Sequence, residues 1–355
     1  MSSDSLEGFN IVVNQPALSK DGPKSNKPWK YLSKFELTCQ GMDKVRCPVY
    51  ANGRQQVPIQ INVEARDEDG VIVDVNHAGL YLYLCKYDDI DVFPTELGRT
   101  ATEDPRFIYQ WSIQKADADD EESHILPAPV QESERVQTVS QFVSANKVGT
   151  YKLAVRCRSP EKVIFVTNTP NPPEGKFDSW LLIDAREPKA TPWQSFSISA
   201  PKTVVANSDW EVNLYYIYFT DPNLKIVQSI NYQNLTRGCH FTMDQLPDWR
   251  ADQIAFAVGP QVSYLHRSCT HNERYTTFTI NDMNGQASAA CIADKTKKYC
   301  GYASLSNGLM GYIDQYGNES KITLKAVNDG SYLGIGRAMR LDDPANVHDE
   351  WPNRP

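Results

Sequence analysis

The sequence predicts an all-β protein made of two tandem β-sandwich domains with polar N- and C-terminal arms. Short runs of alternating apolar and polar residues recur along the chain, and turn sequences separate them at regular intervals. No segment has an amphipathic helical pattern longer than about two turns. The nearest candidate, 243–257, contains Pro247, which interrupts a helix.

The polar arms and the domains follow from changes in composition along the chain. Residues 1–27 are polar and form the predicted N-terminal arm, because they hold too few apolar residues for a core. The first sandwich is predicted at 28–167, with strands at 34–39, 57–65, 71–75, 80–87, 107–114, 135–143 and 150–156.

A proline-rich stretch at 168–176 is the predicted linker between the domains. The second sandwich is predicted at 177–340, and a polar tail follows at 341–355. The strands predicted in this second domain lie at 180–183, 196–199, 210–220, 225–230, 254–258, 275–280, 287–291 and 321–327.

The stretch 49–75 illustrates the strand prediction. Every second residue of 57–65 is apolar and the residues between them are mainly polar, which is typical of a strand with one buried and one wet face. Pro58 favours an edge position or a strand start, since proline cannot donate to a ladder. The sequence from Asp67 to Gly70 predicts a turn, so the stretch is read as a hairpin.

Several landmarks of the first domain recur in the same order in the second. The pair Ala51-Asn52 reappears 155 residues later, and that offset aligns Val57 with Val212 and Ile59 with Leu214. A Pro-Trp pair precedes both copies. Recurrence in order predicts tandem copies of one domain. The alternative is that all sandwich domains share such landmarks.

The first copy resembles the bacterial Ig-like domains of the invasin and intimin type. The residues that carry the resemblance are Ala51, Asn52, Gly53, the alternating strand at 57–65, Asp67 and Gly70, and the turn at 314–318 is similar to one in the same domains. In the second copy, Ser208 replaces the glycine. The resemblance implies an Ig-like fold for the two sandwiches, and a shared fold does not transfer host-cell adhesion.

Composition and charge narrow the function classes. Hydrophobic residues make up 41% and charged residues 23% of the 355 residues, as in soluble globular proteins. The net charge of -8 argues against a nucleic-acid partner. The longest apolar runs, 80–85 and 214–219, are too short to span a bilayer. Residues 1–10 show no signal-peptide pattern, so we expect synthesis in the cytoplasm, with release by another route or association with a particle.

The eight cysteines include no CxxC pair, which argues against zinc ribbons and thioredoxin-type sites. Buried free thiols are the favoured interpretation. Cys39 with Cys47, and Cys291 with Cys300, flank short loops and would be able to pair in an oxidising medium.

No catalytic residues are predicted, because the sequence has no GxSxG, HExxH or P-loop motif. His266, Cys269 and His271 are the candidates for a metal site, although a polar loop between strands is the favoured interpretation. No cofactor is assigned, and calcium is the alternative.

Two groups of residues are candidates for binding. Asp88, Asp89 and Asp91 follow a predicted strand, where carboxylates are able to hold calcium or contact a partner. Trp210 and Tyr215 belong to an aromatic strand whose rings alternate between faces, so some rings are candidates for exposure to a protein or glycan. The favoured alternative is that this strand is buried on both faces.

The leading functional hypothesis is a non-enzymatic binding or assembly module of bacterial or phage-like origin. It would present sandwich loops or sheet edges to a protein or glycan, and self-assembly is compatible with its polar arms. The alternatives are a β-sandwich hydrolase acting on carbohydrate and a pore-forming or insecticidal toxin.

Overall fold

The protein is described by a computed structural model covering residues 25–74, 81–111, 114–115, 136–159, 161–169, 177–231, 239–245, 250–267, 274–295, 308–327 and 332–337. Apart from one 3₁₀ turn at Trp193–Ser195, the regular elements in these ranges are β-strands, which confirms the predicted all-β class. Within the same ranges, no helix has the length and apolar character needed to cross a membrane.

The chain divides into two compact units, Met1–Pro188 and Lys189–Pro355. The first unit contains eleven described strands: β1 Tyr31–Thr38, β2 Val45–Tyr50, β3 Val57–Arg66, β4 Ile72–Val73, β5 Tyr81–Lys86, β6 Leu97–Thr100, β7 Gln114–Lys115, β8 Gln137–Ala145, β9 Gly149–Arg158, β10 Ile164–Val166 and β11 Leu181–Arg186.

These strands form two sheets. The first has the order β1-β3-β8-β6, with β4 on β3, and the second has the order β10-β9-β11-β2-β7, with β5 on β9. All pairs are antiparallel except β2 with β11, which run parallel. Inward side chains of both sheets meet in one core that includes Phe35, Ile61, Val143, Leu153 and Ile183.

The predicted hairpin is present over the described residues 57–73, with β3 and β4 paired across the turn that begins at Asp67. The alternate residues of β3 from Val57 to Ala65 are buried and face the core, because successive side chains of a strand point to opposite faces. Pro58 lies at the start of β3, beyond the residues that pair with β1.

The domain boundary differs from the predicted one. The strand predicted to open the second domain is β11, and it completes the first unit by pairing with β2 and β9. On either side of the predicted linker, the Thr169 and Ser179 amides donate to the carbonyls of Phe177 and Thr167, at 3.1 and 2.9 Å. The predicted linker at 168–176 is therefore a connection inside the first unit, and its residues 170–176 lie outside the described ranges.

The second unit contains the strands β12 Phe196–Ile198, β13 Lys202–Ala206, β14 Trp210–Phe219, β15 Ile226–Asn231, β16 Cys239–Gln245, β17 Arg250–Ala255, β18 Val262–Arg267, β19 Tyr275–Ile280, β20 Ala287–Asp294, β21 Gly308–Asp314, β22 Glu319–Val327 and β23 Tyr332–Arg337. One sheet has the order β12-β14-β20-β17-β16, with β13 on β14, and a second has the order β15-β21-β22-β23. Strands β18 and β19 form a separate hairpin.

The larger sheet of the second unit is buried on both faces. Tyr215 and Ile217 of β14 pack with Tyr312 of β21 in one core, while Val212 of β14 packs with Phe278 of the β18–β19 hairpin in another. All eight residues of β20 are buried, and six of them are alanine, serine or cysteine, whose small side chains fit between these two layers.

This double burial corrects the predicted alignment of the two halves. Val57 and Ile59 face the core between the two sheets of their unit, whereas their predicted counterparts, Val212 and Leu214, face the hairpin. The offset of 155 therefore aligns opposite faces, because a shift of one residue moves every side chain of a strand to the other face.

The asparagine landmarks do form the same local structure in both units. The side-chain oxygen of Asn52 accepts hydrogen bonds from the amides of Arg54 and Gln55, at 2.9 and 3.0 Å. Asn207 accepts equivalent bonds from Asp209 and Trp210, at 2.9 and 2.7 Å. Each asparagine thus closes the turn before the central strand of its unit.

A second shared turn is built by aspartate and glycine. Asp67 Oδ1 accepts from the amides two and four residues later, at 3.0 and 2.8 Å, and Gly70 has a φ of 79°. Asp314 repeats these bonds at 2.8 and 2.9 Å, and Gly317 has a φ of 81°. Glycine is favoured at both positions because it adopts a positive φ without strain.

The two-sided burial of β20 predicts that Ala290 cannot be enlarged. Ala290 is fully buried beneath the β18–β19 hairpin, so Ala290→Leu is expected to lower the free energy of unfolding by about 1–3 kcal/mol through overpacking. Chemical denaturation measures the change. The exposed Ala200 provides the control, and equal effects of Ala200→Leu and Ala290→Leu would contradict the double burial.

The two aspartate turns are predicted to respond to pH with opposite signs. Burial raises the pKa of Asp314, while hydrogen bonding to Ser25 lowers the pKa of Asp67, both relative to the usual value of 3.8. Asp314 therefore contributes stability at low pH that is lost as pH rises through its folded pKa. Asp67 contributes stability above the usual value that is lost as pH falls through its lowered pKa.

Denaturation of Asp314→Asn and Asp67→Asn across this pH range measures both effects. Relative to the wild type, the Asp314 variant is expected to gain stability as pH rises above 3.8, and the Asp67 variant to lose it as pH rises from below 3.8. Parallel pH profiles for the two variants would contradict the assignment.

Candidate functional site

The two sheets of the first unit present different outer faces. The sheet containing β3 is polar on its outer side, where Asn62 donates to Thr38 at 3.2 Å and accepts from the Thr138 hydroxyl at 2.8 Å. Gln60 and Glu64 continue the same row along β3. This is a solvated face whose polar groups largely satisfy one another.

The other sheet carries cations and aromatic rings on its outer side. Leu153, Val155 and Cys157 of β9 point into the core, so Lys152, Arg156 and Arg158 lie on the outer side, with the buried Ala154 between Lys152 and Arg156. The neighbouring strands place tyrosine and isoleucine beside these cations. We define the cation–aromatic face as Tyr81, Tyr83, Lys152, Arg156, Arg158 and Ile164.

Strand register organises this face into two parallel rows. Arg156 lies opposite Tyr83 of β5 and Val166 of β10. Arg158 lies opposite Tyr81 and Ile164, which is the same arrangement two residues further along β9. The rows therefore repeat a tyrosine, an arginine and an aliphatic residue across three neighbouring strands.

The first row also holds a carboxylate. The Arg156 guanidinium carbon lies 5.2 Å from the centre of the Tyr83 ring, and the guanidinium forms an ion pair with Asp91. The Arg156 side chain is 21% exposed and that of Asp91 is 77% exposed. A stacked guanidinium is held in a fixed orientation that suits carboxylate binding.

The third cation is enclosed by rings. Lys152 Nζ lies 3.8 Å from the centre of the Tyr87 ring and 4.0 Å from the centre of the Trp180 ring. Burial raises the pKa of Tyr87. Beside this cluster, Lys44 Nζ pairs with Asp178 at 2.8 Å. The contacts join β9 to the residues that follow β5 and precede β11.

The second row is open to solvent. Tyr81 is 50% exposed, Ile164 is 51% exposed and Arg158 is also exposed. Val163 adds a further apolar side chain that is 50% exposed. Tyrosine, arginine and exposed aliphatic groups together are the composition expected of a protein-binding surface.

The predicted acidic residues lie at the border of this face. Asp88, Asp89 and Asp91 are exposed and follow β5, and Asp89 Oδ1 accepts from the Asp91 amide at 3.2 Å. Only Asp91 of these three pairs with a cation of the face. The acidic turn was predicted from the sequence and the arginines were not, although the alternation in 152–158 contains the signal.

Trp210 and Tyr215 are not on the surface. They are 4% and 1% exposed and lie in the two different cores of the second unit. The expectation of exposed rings at these positions is therefore corrected, and the favoured alternative of burial on both faces describes the strand. The reason is that the β18–β19 hairpin covers the side of β14 opposite the sandwich core.

The metal candidates are only partly described. His266 is 7% exposed, and its ring meets Trp210 edge to face at 5.5 Å. Cys269 and His271 lie outside the described residues. Within the described ranges, no three His, Cys, Asp or Glu side chains form a group able to hold a metal ion.

Five cysteines are described as buried free thiols, in agreement with the favoured prediction: Cys39, Cys47, Cys85, Cys157 and Cys291. The Cys47 thiol hydrogen-bonds to Cys39, and this contact together with burial raises the pKa of Cys47 well above its usual value. Desolvation raises the pKa of Cys85 and Cys157 to about 12. Thiols with raised pKa values are poor nucleophiles at neutral pH.

The enclosed lysine predicts a measurable cation–π contribution. Lys152→Met keeps the aliphatic stem and removes the charge, so it is expected to lower the free energy of unfolding by about 0.5–1 kcal/mol. The exposed Lys147 offers the control, since its charge has no ring beneath it among the described residues. A loss in Lys147→Met equal to that in Lys152→Met would rule out a specific ring contact.

Comparisons with models of protein families, with curated proteins and with solved structures found no match to this chain. The resemblance to invasin-type domains accordingly stays a prediction. Among the described surfaces of the first unit, the cation–aromatic face is the one that its geometry sets apart.

Proposed function

We propose that the protein is a non-enzymatic binding protein, built from two Ig-like sandwiches, that docks a protein partner on the cation–aromatic face of its first unit. The observation that carries the proposal is the exposed row of Tyr81, Arg158 and Ile164 across three paired strands. Tyrosine and arginine are among the side chains that contribute most to protein interfaces, and this row presents them beside an aliphatic group on a sheet surface.

The strand order of the first unit supports the Ig-like assignment. The order β1-β3-β8-β6 corresponds to strands A, B, E and D of an Ig domain, and β11-β9-β5 corresponds to G, F and C. Strand β2 then acts as the second half of strand A, because it leaves the first sheet and pairs in parallel with β11.

The second unit supports the tandem arrangement, with β13, β16, β23 and the β18–β19 hairpin as additions. Strands β12, β14, β20 and β17 correspond to A, B, E and D, and β15, β21 and β22 correspond to C, F and G. The hairpin β18–β19 is inserted between D and E, and β23 extends the sheet beyond G. These additions account for the greater length of the unit compared with a simple sandwich.

A protein partner fits the face better than the other classes considered. The row offers the exposed aliphatic side chain of Ile164, which suits apolar contact with a polypeptide. The chain's net charge of -8 makes a nucleic acid an unfavourable partner. Such docking would hold the protein to a neighbour in an assembled particle, or to its target if the protein is released and adhesive.

Site-specific photo-crosslinking tests the proposal. A photoreactive amino acid in place of Tyr81 is expected to capture one protein from cells of the source organism, whereas the same group at Gln60 on the polar sheet captures none. The partner is then purified and its affinity measured by calorimetry. Tyr81→Ser and Ile164→Ser are each expected to weaken binding about tenfold, as anchors of an interface do.

The matched control is Ser140→Ala, an exposed change on the polar sheet, which is expected to leave the affinity unchanged. If the purified partner binds Tyr81→Ser and Ile164→Ser as tightly as the wild type, the face is not the docking surface. Crosslinking that is equal from Gln60 and from Tyr81 leads to the same rejection.

A further inference from the structure

We propose that the docked partner is an acidic polypeptide segment, whose carboxylate pairs with Arg158 while a neighbouring apolar side chain packs on Ile164. This inference rests on the proposed function and adds the chemistry of the partner. It follows from a difference between two rows of the face that are otherwise repeats of each other.

The repeat is set by strand pairing. Arg158 lies two residues beyond Arg156 on β9. The residue of β5 that pairs with Arg156 is Tyr83, and the one that pairs with Arg158 is Tyr81. On the other side of β9, Val166 of β10 pairs with Arg156 and Ile164 of β10 pairs with Arg158. Each row thus presents an arginine between an aromatic ring and an aliphatic side chain.

The carboxylate is where the rows differ. Arg156 already binds Asp91, which the chain supplies from the turn after β5. Among the described residues, no carboxylate pairs with Arg158, although its side chain is exposed in the equivalent position. Asp91 therefore shows which ligand the first row accepts, and the second row repeats the same strand pairing without that ligand.

The charge of the chain makes the contact orientation-specific. With a net charge of -8, the protein as a whole does not attract an acidic partner, so the arginines of this face supply the attraction at this surface. An acidic segment would therefore find one productive orientation. The exposed Ile164 favours a segment in which an apolar residue accompanies the acids.

A labelled peptide of alternating glutamate and leucine is the probe, and the same peptide with glutamine in place of glutamate is its neutral control. Fluorescence anisotropy with the full chain is expected to show saturable binding of the acidic probe, weakened by added salt. Arg158→Gln is expected to weaken this binding about tenfold. The exposed Arg99 of β6 supplies the matched control, and Arg99→Gln is expected to have no effect.

A second pair of variants uses the internal carboxylate. Asp91→Asn releases Arg156 and is expected to tighten probe binding about threefold, because a second arginine becomes available. Asp104→Asn releases Arg106 in another part of the first unit and is expected to have no such effect. If Asp91→Asn and Asp104→Asn tighten probe binding equally, the change in net charge alone explains the effect, and the proposal is overturned.

The remaining outcomes separate this inference from the proposed function. If the neutral probe binds as well as the acidic one, or if Arg158→Gln binds like the wild type, the acidic segment is rejected. Binding of a heparin oligosaccharide but not of the peptide, with the same dependence on Arg158, would replace the polypeptide with an anionic glycan. If the peptide fails while the partner crosslinked at Tyr81 still depends on Ile164, only the acidic chemistry is overturned.

Discussion

The structure depends on one constraint, which is that successive side chains of a β-strand point to opposite faces of its sheet. What covers each face then decides the role of every residue. In the first unit, Ile61 and Val143 of one sheet meet Leu153 and Ile183 of the other, and within the described ranges no third layer of strands covers the outer faces. In the second unit, the β18–β19 hairpin covers one of these outer faces as well.

The contrast explains why the candidate site lies in the first unit. Where a hairpin covers the sheet, aromatic residues such as Trp210 are used for packing and are lost to the surface. Where the outer face is open, Tyr81 and Tyr83 lie beside arginines and are available for contact. The same residue types therefore serve stability in one unit and supply a surface in the other, according to what covers them.

Local hydrogen bonding accounts for the predictions that succeeded. The turns at Asn52 and Asp67 close within four residues, so a short pattern contains everything that determines them. The alternation of 57–65 likewise describes one strand with one buried face. The expectation of exposed rings on β14 and the linker predicted at 168–176 were wrong because both depend on partners far along the chain, namely the β18–β19 hairpin and the pairing of β11 with β2.

The sequence by itself determined the all-β class, the turn chemistry and the presence of an acidic turn at Asp88–Asp91, because each depends on neighbours along the chain. Only the tertiary structure decided that β11 belongs to the first unit, that Tyr215 is buried, and that Arg158 lies between Tyr81 and Ile164. Those outcomes depend on strand register between distant segments. Register is set by side-chain packing across the sheets, which no local pattern records.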